Sequence, residues 1–510
     1  MSAVNESIAA TRPARRSSAA GGLAALLLAT LAPPPLAWAG AADRSAPPAR
    51  GPASLAWAAS ADGNGPTGVV EVRQADLTPA HWIGLLAEPD RVILDRAGIA
   101  AQNARMRAQD KSIHDIAALP DPLPQAFVRE QVLALSGPPA PGLFDVQGQP
   151  VAKKDLDGLQ SALALDAIPA SQPLRYGLVV HRAALRAFPT GLRVFSSAGE
   201  TDIDRFQESA LFPGDAVAVL HSSRDGKWLF VASERYAAWI EAAHVAVGDR
   251  GTVLGYAQRA PYVVVTGATV RTTWTPEEPR VSALQLDMGV RLPLRADWPP
   301  MQAVNGQHPY SSHVVDLPVR NADGSLALVP ALLARSADVS DDYLPLTPAN
   351  LVRQSFKFLG ERYGWGHSYD ARDCSGFVSE IYRSFGILVP RNTRDQAVSP
   401  ALDRIAFEAS DSRDKRLAAV RGLQAGDLVY IPGHVMMALG HQRGLAFMIH
   451  DTNGGSWRGA DGARVRAGLN GVSVTPLEPM LFGDSETYVD RITSIQRIRP
   501  VSAQGTTPTP

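Results

Sequence analysis

Cys374 is the one cysteine among 510 residues, and it stands in the run Asp373-Cys374-Ser375-Gly376-Phe377-Val378. A lone thiol cannot form an intramolecular disulfide. It is either an inert core residue or one kept for its reactivity. The surrounding pattern favours reactivity. Phe377, Val378, Ile381 and Phe385 recur at helical spacing, and Gly386 is placed to end that helix. Asp373 falls at the N-cap, so Cys374 opens the helix. Free backbone N–H groups and the helix dipole favour a thiolate there, and the thiolate is the nucleophile. Just upstream lies Tyr363-Gly364-Trp365-Gly366.

A cysteine nucleophile needs a base, and the base needs an orienting partner. Gly426–Pro432 reads as a turn and a strand, Gly433–Leu439 as a second strand, and Leu445–His450 as a third. A turn centred on Gln442 would pair His434 directly with His450. Directly opposed residues share a sheet face, with Cβ atoms about 4.5–5.5 Å apart. His434 is then the base beside Cys374, and His450 its orienter. A one-residue slip would misalign the pair. His308, His313, His367 and His441 read as packing or surface residues. A zinc site needs three or four ligands at compact spacing. With one cysteine and no His-Glu-x-x-His, no metal or other cofactor is expected.

These residues must be positioned by a large folded chain. Hydrophobic residues make up 45% and charged residues 19%, which excludes a disordered chain. Lys+Arg (49) and Asp+Glu (50) nearly balance, so there is no electrostatic case for a nucleic-acid partner. Arg12, Arg15 and Arg16, an apolar run from Gly22 to Ala32, and Ala37-Trp38-Ala39 read as a signal peptide cleaved after Ala39. A secreted, periplasmic protein without a membrane anchor after cleavage is expected. The expected units are a signal peptide (1–39), a linker (40–64), a helical domain (65–170), a first β-barrel (171–250), a second (251–340), a mixed catalytic domain (341–500) and a disordered tail (501–510). The charged stretch 401–421 reads as an insertion or long loop.

The C-terminal part resembles the NlpC/p60 family of papain-like cysteine peptidases. The matching segments are Tyr363–Gly366, Asp373–Val378, Val389-Pro390-Arg391-Asn392-Thr393, Gly426-Asp427-Leu428-Val429, Gly433-His434-Val435 and Ile449-His450. Upstream, Arg205–Ser209, Pro213-Gly214-Asp215 and Asp225-Gly226-Lys227-Trp228 resemble bacterial SH3-like domains, and Trp82–Asn103 resembles the stabilising domain of the same group.

The resemblance implies an α+β protein: a papain-like NlpC/p60 catalytic domain preceded by two small SH3-like β-barrels and a helical N-terminal domain. It implies a Cys374–His434–His450 triad, with Tyr363 helping to stabilise the oxyanion. Asp373 and Ser375 would hold the D-glutamyl part of the substrate, with Trp365 in the same site. Thr393 stands where a serine is more usual, and His367 where a glycine is. Tyr236 in the first barrel matches a substrate-contacting tyrosine, and Asp204 is the expected carboxylate for a substrate amine. The implied activity is peptidoglycan hydrolysis at the γ-D-glutamyl–diaminopimelate bond of stem peptides or muropeptides, with preference for a free N-terminal L-alanine. The rival readings are an amidase or acyltransferase using the same triad, and a catalytically silent wall-binding protein.

Overall fold

The computed structural model describes residues 65–500. The expected signal peptide, linker and tail lie outside the described residues. The first stretch holds helices α1 (Pro79–Gly84), α2 (Arg96–Gln109), α3 (Gln125–Leu135) and α4 (Lys153–Ala162). Thr78 and Asp95 cap the first two by accepting the backbone N–H of His81 and Gly98, at 3.4 and 2.7 Å. The sequence suggests one helical domain over 65–170, but the structure divides these residues between two cores. Trp82, Ile99 and Met106 are buried with Phe377 and Ile381, of the helix that Cys374 opens. Val128, Val132, Leu159 and Leu163 are buried with Phe230 and Trp239 of the first barrel. Helices this short carry too little apolar surface to close a core and must share one.

Strands β1 (Leu123–Pro124) and β2 (Ser171–Gln172) pair where the helices meet the first barrel. The barrel follows as β3 (Arg175–Val179), β4 (Ala183–Arg186), β5 (Gln207–Leu211), β6 (Ala216–Ser222), β7 (Trp228–Ala232), β8 (Ala237–Glu241) and β9 (Val245–Gly248). They form a seven-stranded sheet in the order β5-β4-β8-β7-β6-β3-β9. The apolar runs 216–220 and 228–232 fall on β6 and β7, and the run 177–180 overlaps β3 through Val179. Alternating residues bury on both faces, so one sheet carries two apolar clusters.

Helix α5 (Arg250–Tyr256) leads to the second β unit: β10 (Tyr262–Val265), β11 (Thr269–Arg271), β12 (Gln285–Asp287), β13 (Arg291–Pro293), β14 (Ser312–Arg320), β15 (Leu326–Ala334) and β16 (Val339–Ser340). Its strands lie in three small sheets, β13-β10-β16, β11-β12 and β14-β15, rather than in one closed sheet. They share a core that includes Val263, Leu286, Leu292 and Leu317.

The C-terminal part contains α6 (Pro348–Phe356), α7 (Cys374–Arg383), α8 (Thr393–Val398) and α9 (Arg413–Val420). Its strands are β17 (Asp403–Ala406), β18 (Leu428–Ile431), β19 (His434–Gln442), β20 (Leu445–Thr452), β21 (Gly455–Arg458), β22 (Arg464–Ala467), β23 (Gly471–Pro476) and β24 (Ser494–Arg497). An antiparallel sheet runs β17-β24-β18-β19-β20-β23. Residues 401–421 are ordered rather than a loop. β17 extends the sheet edge against β24, and Val420 of α9 is buried with Val429 and Met436. Among the described residues, no helix is long and apolar enough to cross a membrane.

Candidate active site

The β19–β20 hairpin turns through Arg443 and Gly444, both at positive φ (54° and 79°), the geometry that matches strand twist. Gln442 pairs with Leu445, and Gly440 with Phe447. Continued unbroken, that register would set Met437 opposite His450 and turn His434 to the other face. A bulge at Leu439 prevents this. Beyond it, Ala438 pairs with Met448 and Met437 with Ile449. The same register brings Met436 opposite His450, and His434, two residues away, shares its face. The histidines are therefore diagonal neighbours, not the direct pair expected from a turn at Gln442. They still meet, with His434 Nε2 2.7 Å from His450 Nδ1. Gly440 takes φ 145°, a conformation that L side chains rarely adopt, just past the bulge.

His450 Nε2 lies 2.8 Å from the Thr475 hydroxyl on β23, a residue with no sequence signal beyond its place in a strand. Burial pushes His434 down to about 4. Burial, then the neighbouring His434, carries His450 well below its ordinary value. Both rings are neutral at neutral pH. Since His434 Nε2 faces His450, Nδ1 is the ring nitrogen that this pairing leaves unused. A proton on His434 Nε2 donated to His450 Nδ1, with His450 Nε2–H donated to Thr475, keeps His434 Nδ1 a free acceptor.

Cys374 opens α7 as expected, and Asp373 caps it by accepting the Gly376 N–H at 2.8 Å. The thiol is only 5% exposed. Its sulfur lies 3.5 Å from the Thr393 hydroxyl and within reach of the Val435 N–H, the residue next to His434. The environment does not favour the resting thiolate that the helix position suggests. Burial, then the Asp373 charge, push the thiol up to about 11, against smaller lowering by Thr393 and Val435. Tyr363 is buried close to Cys374 and Asp373. Burial, then those two charges, raise its hydroxyl's pKa, so it remains a donor.

Arg391 organises the other flank. Its guanidinium donates to Asp373 Oδ1 and Oδ2 at 3.2 and 2.8 Å, to Ser375 Oγ at 2.9 Å, to Ser209 Oγ of the first barrel at 2.7 Å and to His367 Nδ1 at 2.9 Å. Burial opposes the Asp373 charge, but Arg391, then His367, hold the carboxyl down at about 2. Asp373 also accepts Gly366 N–H and Ser375 Oγ–H, at 3.0 and 3.2 Å, so both its oxygens are engaged within the chain. His367 is a packing residue, as expected. Its Nε2 lies 2.9 Å from Glu380 Oε1, and burial, then Arg391, lower it to about 4. Gly376 leaves room for this ring, since a Cβ there would lie 2.6 Å from His367 Cε1.

The first barrel closes against this flank. Trp365 Nε1 donates to Gln207 O at 3.0 Å, and Gln207 Nε2 donates to Gly366 O at 2.7 Å. Tyr236 donates its hydroxyl to Glu208 and also contacts Asn392. Asp204 does not join them. It is buried inside the barrel, paired with Arg186 and accepting the N–H groups of Val194 and Phe206. Its carboxylate completes the barrel's own polar core, and Glu208 is the carboxylate beside Tyr236. Burial raises Glu208, against lowering by Tyr236 and Arg391. Glu208 and Arg391 lie in stretches that the sequence singles out, but only the packed barrel brings them together. Among the described residues, no cluster of three or more His, Cys, Asp or Glu could hold a metal.

Residues 360–459 match the NlpC/P60 family model, and residues 193–241 match an SH3 domain of the SH3b1 type. An NlpC/P60 endopeptidase from Photobacterium damselae subsp. piscicida is 18% identical with a TM-score of 0.65, and the match covers 82% of this chain and 96% of that one. An NlpC/P60 family protein from Bacillus cereus is 21% identical with a TM-score of 0.43, over 64% of this chain and 100% of that one. A peptidoglycan hydrolase from Mycobacterium tuberculosis is 20% identical with a TM-score of 0.19, over 30% of this chain and 64% of that one. No curated protein sequence matches. The chain carries an NlpC/P60 domain and an SH3 domain, and it shares the fold of the Photobacterium endopeptidase over most of both chains.

Proposed function

We propose that the protein is an exported, periplasmic cysteine peptidase that hydrolyses the γ-D-glutamyl–diaminopimelate bond of peptidoglycan stem peptides. The hydrogen-bonded His434–His450 pair, on the strand whose Val435 N–H reaches the Cys374 sulfur, carries this reading. As the thiol attacks the carbonyl carbon, His434 Nδ1 takes its proton. His450 holds the ring and stabilises the imidazolium. The Cys374 N–H at the helix start and the Tyr363 hydroxyl donate to the developing oxyanion. His434 then protonates the leaving amine, a thioester remains, and water activated by His434 releases the acid and restores the thiol.

The substrate reading rests on the flanks. Ser375, Thr393 and the Asp373–Arg391 pair, all next to Cys374 or on its flank, would line the acyl side and meet the D-glutamyl carboxylate. Glu208, next to Tyr236, offers a negative charge for a free N-terminal amine, which would favour substrates beginning with L-alanine. Purified protein should release diaminopimelate from L-Ala-γ-D-Glu-diaminopimelate, and muropeptides still joined to sugar should be cut far more slowly. Hydrolysis retained in Cys374→Ala would overturn the mechanism. Equal rates on free and sugar-linked peptide would overturn the amine preference.

A further inference from the structure

A cavity of about 520 Å³ lies where the helical region, both β units and the C-terminal α/β part meet. None of Cys374, His434, Tyr236 or Thr393 lines it. Its lining carries four arginines, Arg107, Arg235, Arg291 and Arg383, against two acids, Asp215 and Glu234. Both acids are already paired inside the protein. Asp215 accepts from Arg383 Nη2 at 2.7 Å, and Glu234 from Arg107 Nε at 2.8 Å. Arg291 stacks 3.7 Å over the Tyr262 ring, and its Nε is buried without a hydrogen-bond partner among the described residues. Arg383 Nη1 is also buried without one. The Arg235 side chain forms no hydrogen bond or ion pair with any described residue.

Burial, then the nearby Arg383, lower Arg235 to about 10. Arg291 Nε and Arg383 Nη1 are desolvated donors without an acceptor, and the part-exposed Arg235 adds a further cation beside Arg383. Desolvated guanidinium donors with no acceptor are costly, and an oxyanion supplies both the missing charge and the missing hydrogen bonds. The volume falls in the range of small-molecule sites.

We propose that this four-way junction is a binding site for a small oxyanion, a carboxylate or phosphate group held between Arg235 and Arg383, with Arg291 behind them. The ligand would sit beside Arg383, the last residue of α7, whose cation offsets the negative end of the helix that Cys374 opens. Its occupancy would clamp the two β units against the catalytic domain. The site is separate from the catalytic groove and stands whatever bond that groove cuts.

The test uses the full chain in chloride buffer at constant ionic strength. Thermal unfolding is followed while inorganic phosphate is titrated in one arm and succinate in another. A saturable rise in melting temperature is expected in at least one arm, and the stronger arm assigns the group. Arg235→Gln should weaken that binding about tenfold or more, as expected for loss of a charge-assisted hydrogen-bond pair, while peptide hydrolysis persists. Arg235→Glu places a carboxylate beside Arg383. It should raise the melting temperature without added anion and abolish the response. No saturable rise in either arm, or an equal rise in wild type and Arg235→Gln, would overturn the proposal.

Discussion

The two flanks of Cys374 hold buried polar groups in opposite ways. On the sheet side, His434, His450 and Thr475 form a chain of neutral groups at 2.7 and 2.8 Å, with burial keeping both rings uncharged. On the barrel side, Asp373 and Arg391 are a buried ion pair, tied to Ser375, His367 and Ser209. In the proposed reaction the neutral flank takes the thiol's proton, and nothing there already holds a charge. The charged flank fixes geometry because breaking it would leave a bare charge indoors. Chemistry and positioning are thus divided between two environments that meet at one helix start.

The comparison breaks most sharply at the neutral flank. Cys374→Ala should lower kcat about 10⁴-fold or more, and His434→Ala nearly as much, because residues acting as a unit are not additive. Gly440→Val disfavours the backbone next to the bulge, at φ 145°; with Leu439 drawn into the ladder, Met437 would face His450 and His434 would turn away. Peptide hydrolysis should then fall as in His434→Ala, with circular dichroism showing the sheet retained. Activity near wild type would show that the bulge does not set the pair.

On the charged flank the expected loss is one of stability before chemistry. Arg391→Met leaves Asp373 buried and unpaired and should cost about 3–5 kcal/mol in urea melts. The double variant Arg391→Met with Asp373→Asn should recover part of that loss, which an unpaired-charge origin requires.

The resting protonation of the thiol sharpens the contrast further. With Cys374 pushed up to about 11 and His434 down to about 4, alkylation by iodoacetamide should still be rising between pH 8 and 10. A plateau reached below pH 6 would instead show a preformed thiolate–imidazolium pair.

Asp451, next to His450 on β20, gives the smallest effect. It is fully buried, and neither oxygen has a hydrogen-bond partner among the described residues. Burial, then the Asp373 and Glu361 charges, raise it to about 9. The folded state therefore binds this proton more tightly than the unfolded chain. The associated stability is present below about pH 4 and is lost as pH rises toward 9. Asp451→Asn stays neutral throughout and should gain stability over wild type across that range, by about 1–3 kcal/mol at its upper end. A pH-independent difference in melting temperature would argue against a buried acid there.

Much of this was legible in the sequence because it is local. Helical spacing after Cys374, the Asp373 cap, the strands at 228–232 and 434–439 and the two histidines depend on neighbours within a few residues, while the strand's continuation to Gln442 does not. The carboxylate beside Tyr236 was not legible. Asp204 and Glu208 lie four residues apart in one barrel, and only packing decides which one turns inward to Arg186 and which meets Tyr236. The same holds for residues 65–170, whose helices follow from periodicity while their division between two cores does not.

The sequence by itself determined a cysteine at a helix start and two histidines on neighbouring strands. Period-two alternation and helix capping are written in residue order. Only the tertiary structure decided that the histidines meet diagonally, through one extra residue at Leu439, and that the thiol beside them rests protonated. Register and desolvation depend on what packs from far along the chain, and no local pattern records either.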